Sequence, residues 1–204
     1  MNSILSLNEN GIAMMSVNDY DGAASAFGAA VQQAKSDWQS LLTLPVSSSA
    51  DTFRSVKVDD LINHHGTFVV CGECFALSPL HEVNEAPQDP HFLVAVMMYN
   101  GALARHLQFL KDNSTAGRRK AECLYNLALQ LLRKSLASDE CYFWVLLAIS
   151  NNMAAIAAET YNHASFEMHR RIMASIMLET EVPELFASNY VASMGMLDQP
   201  AAAA

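Results

Sequence analysis

The chain has 204 residues, 51% of them hydrophobic, with eight glycines, six prolines and a formal net charge of −9. That length can bury a full core, and so much apolar content with so little Gly and Pro argues against disorder. The acidic balance disfavours nucleic acid and anionic membrane as partners, and four cysteines with a single close pair do not form a disulfide framework, which points to a reducing compartment, the cytoplasm.

Along the chain, the apolar residues at Ile4, Leu5, Leu7, Ile12, Met14 and Met15 have helical spacing. Met1-Asn2-Ser3 before them lacks the basic start of a secretory signal. Asn18-Asp19 breaks the pattern as turn formers do, and a second helix follows with Ala23, Ala26, Phe27, Ala30 and Ala34 on one side. Its small residues allow close approach of the first helix, with Phe27 filling the gap. This helix is expected to continue through Trp38 to Leu42 and end at Pro45, with a polar linker from Ser47 to Asp51. The segment 43–90 is an insertion. Its β-prone runs, Val56 and Val58, Thr67 to Cys71, and Cys74 to Leu77, predict a short two-stranded ribbon or extended excursion near 56–78.

His91 to Leu110 then reads as a helix with Phe92, Val96, Tyr99, Leu103, Leu107 and Leu110 on one face. A loop from Asp112 to Gly117 leads to a helix over Arg118 to Leu136. Its Ala121, Tyr125 and Ala128 repeat the spacing of Ala23, Phe27 and Ala30. Ser138 is suited to cap the next helix, Cys141 to Ala158, the most hydrophobic run in the chain. A membrane span needs about 20 apolar residues. Asn151-Asn152 and Glu159 speak against a span and for a helix buried in a core. Tyr161 to Ala164 reads as a turn, with Ala164 and Met168 at the small and aromatic positions of a last long helix to about Leu178 and Arg171 in place of the closing Ala. Pro183 starts a short terminal helix with Leu185, Phe186 and Tyr190 that would cap the array, and 198–204 is a tail. The expectation is one all-α or nearly all-α domain over 1–197, built from about three antiparallel helix pairs at 4–35, 91–136 and 139–178.

Asn10-Gly11, the run Asn18-Asp19-Tyr20-Asp21-Gly22-Ala23, then Phe27 and Ala30 resemble a tetratricopeptide (TPR) repeat, with Lys35 in place of the closing Pro. Tyr99-Asn100-Gly101-Ala102-Leu103-Ala104 resembles the first helix of a second repeat, whose turn would be lengthened and lack the Asp-Tyr signature. With Tyr125-Asn126-Leu127-Ala128-Leu129 and Ser150-Asn151-Asn152-Met153, the whole pattern resembles the TPR-like proteins of diatoms over most of residues 4–178. That resemblance implies a right-handed helical stack and no known activity. It also implies a concave groove that accepts a peptide or helix of a protein partner, lined by Asn8, Ile12 and Met15, by Tyr99, Leu103 and His106, and by Asn151. One subclass of the family grips chaperone C-terminal tails with Lys and Asn where Asn8 and Ile12 stand here, a departure that speaks against such tails.

Cys71-Gly72-Glu73-Cys74 has the spacing of two zinc ligands, and His65 and His81, with His64, lie near enough in sequence to complete a site. Against that, strand cysteines also serve as small buried hydrophobes, and no second tight pair is present. Asn151-Asn152 could grip a peptide backbone, or one amide could satisfy a loop carbonyl and the other a local contact. The basic runs Gly117 to Lys120 and His169 to Arg171 read as solvated helix surface, and Met14-Met15 and Met97-Met98 as core filling. No nucleophile elbow, phosphate-cradling loop or helical metal-ligand pair occurs. A non-catalytic interaction module without a cofactor is the first expectation. A structural protein stabilised by zinc at Cys71 and Cys74 is the alternative.

Overall fold

Helix α1 (Asn2–Ser16) buries Ile4, Leu5, Asn8, Ile12 and Met15, a stripe at three- and four-residue intervals. Helix α2 (Tyr20–Ser36) buries Tyr20, Ala23, Phe27, Ala30 and Ala34. Between them Asn18 is left-handed (φ 60°). The N–H of Asn18 bonds Met15 O and that of Asp19 bonds Met14 O, the paired closure of a Schellman turn. Asp19 then caps α2, its carboxylate accepting the Gly22 N–H at 3.0 Å. Asp19→Ala should lower stability by about 1 kcal/mol in chemical denaturation. An unchanged denaturation midpoint would show that the cap contributes nothing.

The computed structural model describes residues 2–42, 53–57, 70–77, 89–135 and 140–179. Among them are seven helices and one two-stranded antiparallel sheet, so the fold is mainly α. The remaining elements are α3 (Trp38–Leu42), β1 (Phe53–Lys57), β2 (Glu73–Leu77), α4 (Pro90–Asp112), α5 (Thr115–Leu132), α6 (Glu140–Glu159) and α7 (His163–Glu179). The expected terminal helix at Pro183, the tail, and the linker at Ser47 to Asp51 lie outside the described residues.

Where one domain over 1–197 is expected, the chain divides into two compact units. The first holds α1 to α5, the ribbon and the start of α6. Within it α2 packs on α1 and α4, and α4 packs on α5, so two helical hairpins stack through α2 and α4. Arg105 of α4 pairs with Asp21 at 2.6 Å and Gln108 donates to the same carboxylate at 2.8 Å, tying α4 to the first turn of α2. The described residues of the second unit are 70–71 and 146–179.

The structure corrects four local expectations. Helix α2 does not run on to Leu42: it stops at Ser36, where the Ser36 hydroxyl bonds Gln33 O and Asp37 accepts from Gln33 Nε2, local side-chain bonds that compete with the helix ladder. The ribbon begins at Phe53, not near 56, with Phe53 opposite Leu77 and Ser55 opposite Phe75. Val70 and Cys71 are buried but not in a strand. The turn after α4 is as short as the first: Asn113 is left-handed and Ser114 caps α5 by accepting from Gly117 N–H. Helix α5 therefore starts about a turn before Arg118, yet Ala121, Tyr125 and Ala128 are all fully buried, as Ala23, Phe27 and Ala30 are.

The turn between α6 and α7 repeats this geometry. Tyr161 is left-handed, its N–H bonds Ala158 O, Asn162 N–H bonds Ala157 O, and Asn162 Oδ1 accepts from Ser165 N–H. The expected face of α7 is corrected. Ala164, Met168 and Arg171 are exposed, while Phe166, His169, Met173 and Ile176 form the buried stripe. Helix α6 is long and apolar enough to cross a membrane by length and composition, but most of it is buried within the protein, so that property indicates no location.

Candidate functional site

An antiparallel strand pair leaves each strand with an outer edge of unsatisfied N–H and C=O groups. Phe75 faces Ser55 across the ribbon, and its own N–H and C=O point away from β1. The first unit meets that edge with side-chain amides instead of a third strand. Asn100 of α4 accepts the Phe75 N–H at 2.9 Å through Oδ1 and donates to Phe75 O at 2.8 Å through Nδ2. Asn8 of α1 donates to the same carbonyl at 3.2 Å, and Asn100 Nδ2 also donates to Asn8 Oδ1 at 2.9 Å. One position along the helix, the Tyr99 hydroxyl donates to Glu73 O at 2.9 Å. The bonds of Asn8 and Asn100 are fully buried, out of reach of water, where an unmade one is most costly, whereas the bond from Tyr99 to Glu73 is partly buried.

The side chain of Phe75 is held as firmly as its backbone. Its ring stacks on Phe53 at 4.9 Å between centroids and lies 5.1 Å from the ring of Tyr99, which in turn lies 5.9 Å from Tyr125. Phe53 also approaches Phe92 and Trp144. Each such pair contributes about 0.5–1.5 kcal/mol beyond its buried area. Cys74 and Ala76, pointing to the other face of the strand, are fully buried as well.

The seven residues expected to line an open groove are therefore corrected in their placement. Asn8, Ile12, Met15, Tyr99, Leu103, His106 and Asn151 are all buried, between 0% and 5% exposed. In the first unit the inner helices carry an extended segment, as the expected groove would, but the segment is the chain's own β2. Asn8 and Tyr99 touch its backbone, whereas Ile12, Met15 and Leu103 are core. Asn100, the residue that makes both backbone bonds to Phe75, escaped the sequence reading. An amide beside Tyr99 in the middle of an apolar helix face was the available signal.

The second unit uses the same chemistry once more. Asn152 accepts the Cys71 N–H at 2.7 Å and donates to Cys71 O at 3.2 Å, and Asn151 Nδ2 donates to Asn152 Oδ1 at 3.1 Å. Asn152 thus satisfies backbone of this chain and Asn151 makes a local contact to it, as the second of the two expected roles has it.

Cys71 and Cys74 are both buried, His65 and His81 lie outside the described residues, and no group of three His, Cys, Asp or Glu among the described residues is placed to hold a metal ion. Asp89 joins a serine and a histidine: Ser135 Oγ donates to it at 2.5 Å, and His91 Nδ1 lies 3.4 Å away. The order differs from that of a nucleophilic triad. The carboxylate, not the imidazole, receives the hydroxyl, and Asp89 also caps α4 by accepting from His91 N–H.

Two buried histidines give the protein a pH response. His106 lies beside the Tyr125 hydroxyl and packs on Phe109, and burial lowers its pKa to about 3. Burial likewise lowers His169 to about 4. Both are neutral in the folded state above these values. As pH falls below the unfolded value of 6.5, the unfolded chain takes up protons that the folded chain refuses, so stability is full above pH 6.5 and is lost on the way down. The slope is about 1.4 kcal/mol per pH unit for each histidine. The urea midpoint should thus drop between pH 7 and pH 5, and less so in His106→Leu. A pH-independent midpoint would contradict it.

No family model, curated protein or solved structure matches this chain, so its function is inferred from the geometry of the site.

Proposed function

We propose that the chain is a non-catalytic protein–protein interaction module of TPR-like architecture, whose inner helices hold an extended segment of a protein or peptide partner. The observation that carries this is the pair of bonds from Asn100 to the N–H and C=O of Phe75. A primary amide that both accepts from and donates to one residue reads main chain independently of side chain, which is how an extended ligand is fixed in register. The TPR-like assignment is supported by three inter-helix turns, each with a left-handed residue (Asn18, Asn113 or Tyr161) followed by a capping side chain.

A peptide array probed with the full chain tests the proposal. The expected result is saturable binding to a subset of peptides that falls about tenfold in Asn100→Ala, with Tyr99→Phe as a milder variant that removes the bond to Glu73 O. Array binding that is absent, or that is indifferent to both substitutions, would sink it.

A further inference from the structure

The strand seated on α1 and α4 carries its own specification. Its backbone is read by Asn8, Tyr99 and Asn100, which is independent of sequence. Its side chains are read by the surroundings. Phe75 is 1% exposed between the rings of Phe53 and Tyr99, and Leu77, on the same face of the strand, is fully buried opposite Phe53. Cys74 and Ala76, both small, are fully buried on the other face. This pattern is small, aromatic, small, aliphatic.

The hold on the ribbon is uneven. β2 is buried along nearly its whole length, but Arg54, Ser55 and Lys57 of β1 are exposed. Arg54 meets Glu9 in an ion pair at 3.2 Å with both side chains substantially exposed, the kind that contributes little. A two-stranded ribbon is marginal by itself, so β2 depends on its contacts with α1 and α4 as well as on its pairing with β1. Whatever reproduces those contacts can replace it.

We propose that the partner of this groove is an extended segment with an aromatic residue two positions before an aliphatic one and small residues on either side of the aromatic, and that it binds by displacing β2. This rests on the interaction-module function proposed above. The chain's own strand is then a resident competitor. A tethered segment acts at an effective concentration of about a millimolar, so a partner must exceed that competition to enter. The device sets a threshold on binding and selects segments that match the pattern of β2.

The test uses the full chain with Phe75→Ala, which weakens the resident strand, and a synthetic peptide with the sequence of residues 70–77 in which both cysteines are serine. The peptide should bind saturably by fluorescence anisotropy and raise the melting temperature of the variant, and the same peptide with alanine for phenylalanine should do neither. Where Phe75→Ala does not fold, Phe75→Leu takes its place. In the otherwise intact chain carrying Cys123→Ser, which removes an exposed thiol, a millimolar concentration of the peptide should speed alkylation of the buried Cys74 about tenfold as β2 leaves.

Equal effects of the two peptides, or none from either, would overturn the proposal. If arrayed peptides of other patterns bind through Asn100 while this one does not, the inferred pattern fails and the interaction module stands. If no peptide binds at all, both fail. A concentration-dependent dimer of the intact chain that disappears in Phe75→Ala would assign the groove to a second copy of the chain and overturn the displacement by a partner.

Discussion

Asn100→Leu is expected to lower the stability of the protein by about 3–5 kcal/mol, among the largest effects of any single substitution in the chain. Leucine has the branching and the heavy-atom count of asparagine, though it is bulkier, and a high helix propensity, so α4 itself is not the main source of the loss. The loss comes from what is stranded. The Phe75 N–H loses its acceptor, Phe75 O loses the closer of its two donors, and Asn8 Oδ1 loses a donor, all in a region closed to water. A buried polar group deprived of its partner costs about 1–3 kcal/mol. Asn8→Ala should cost less, because Asn100 still satisfies both groups of Phe75. Urea denaturation of the two variants would check the order, and an Asn100→Leu midpoint close to that of the parent would mean that the strand edge finds other partners.

Phe27→Ala is expected to cost about 3–5 kcal/mol, and it should erase the effect of a second substitution. Phe27 sits on α2 between α1 and α4 and is 1% exposed. Gly11 of α1 lies against its ring so closely that a Cβ at Gly11 would stand 2.5 Å from the ring edge, and a Cβ at Gly101 of α4 would stand 3.5 Å from the Phe27 Cβ. Gly11→Ala alone should therefore destabilise by about 1–3 kcal/mol through overpacking. In the Phe27→Ala background the added methyl enters space that the ring has vacated, and the penalty should disappear or change sign. Independent, additive effects in this double-mutant cycle would rule out the contact as the cause.

Much of the helical framework was legible in the residues. Apolar spacing located all the long helices, and Asn18-Asp19 marked a turn, because helix periodicity and capping are local properties. The small–aromatic–small triads at Ala23, Phe27 and Ala30 and at Ala121, Tyr125 and Ala128 were read correctly as buried. Local periodicity failed where a pattern fits two phases. Met168 matched an aromatic position by analogy, but it is exposed, and the stripe through Phe166 and Met173, one phase over, is the buried one. It failed too at the second turn, where Asn113-Ser114 forms the same left-handed turn and cap as Asn18-Asp19 without a tyrosine after it.

The candidate site shows the division most clearly. The sequence by itself determined that the region near Cys74 to Leu77 is β-prone and that amides stand in the middle of apolar helices. Each follows from short-range periodicity and propensity. Only the tertiary structure decided that the segment held by α1 and α4 is the chain's own β2, and that Asn100 reads its backbone from 25 residues away while Asn8 does so from 67. A side-chain amide that pairs with a strand edge has no periodic signature. Its partner is fixed when the packing of α1, α4 and the ribbon brings the edge within hydrogen-bond reach and excludes the water that would otherwise satisfy it.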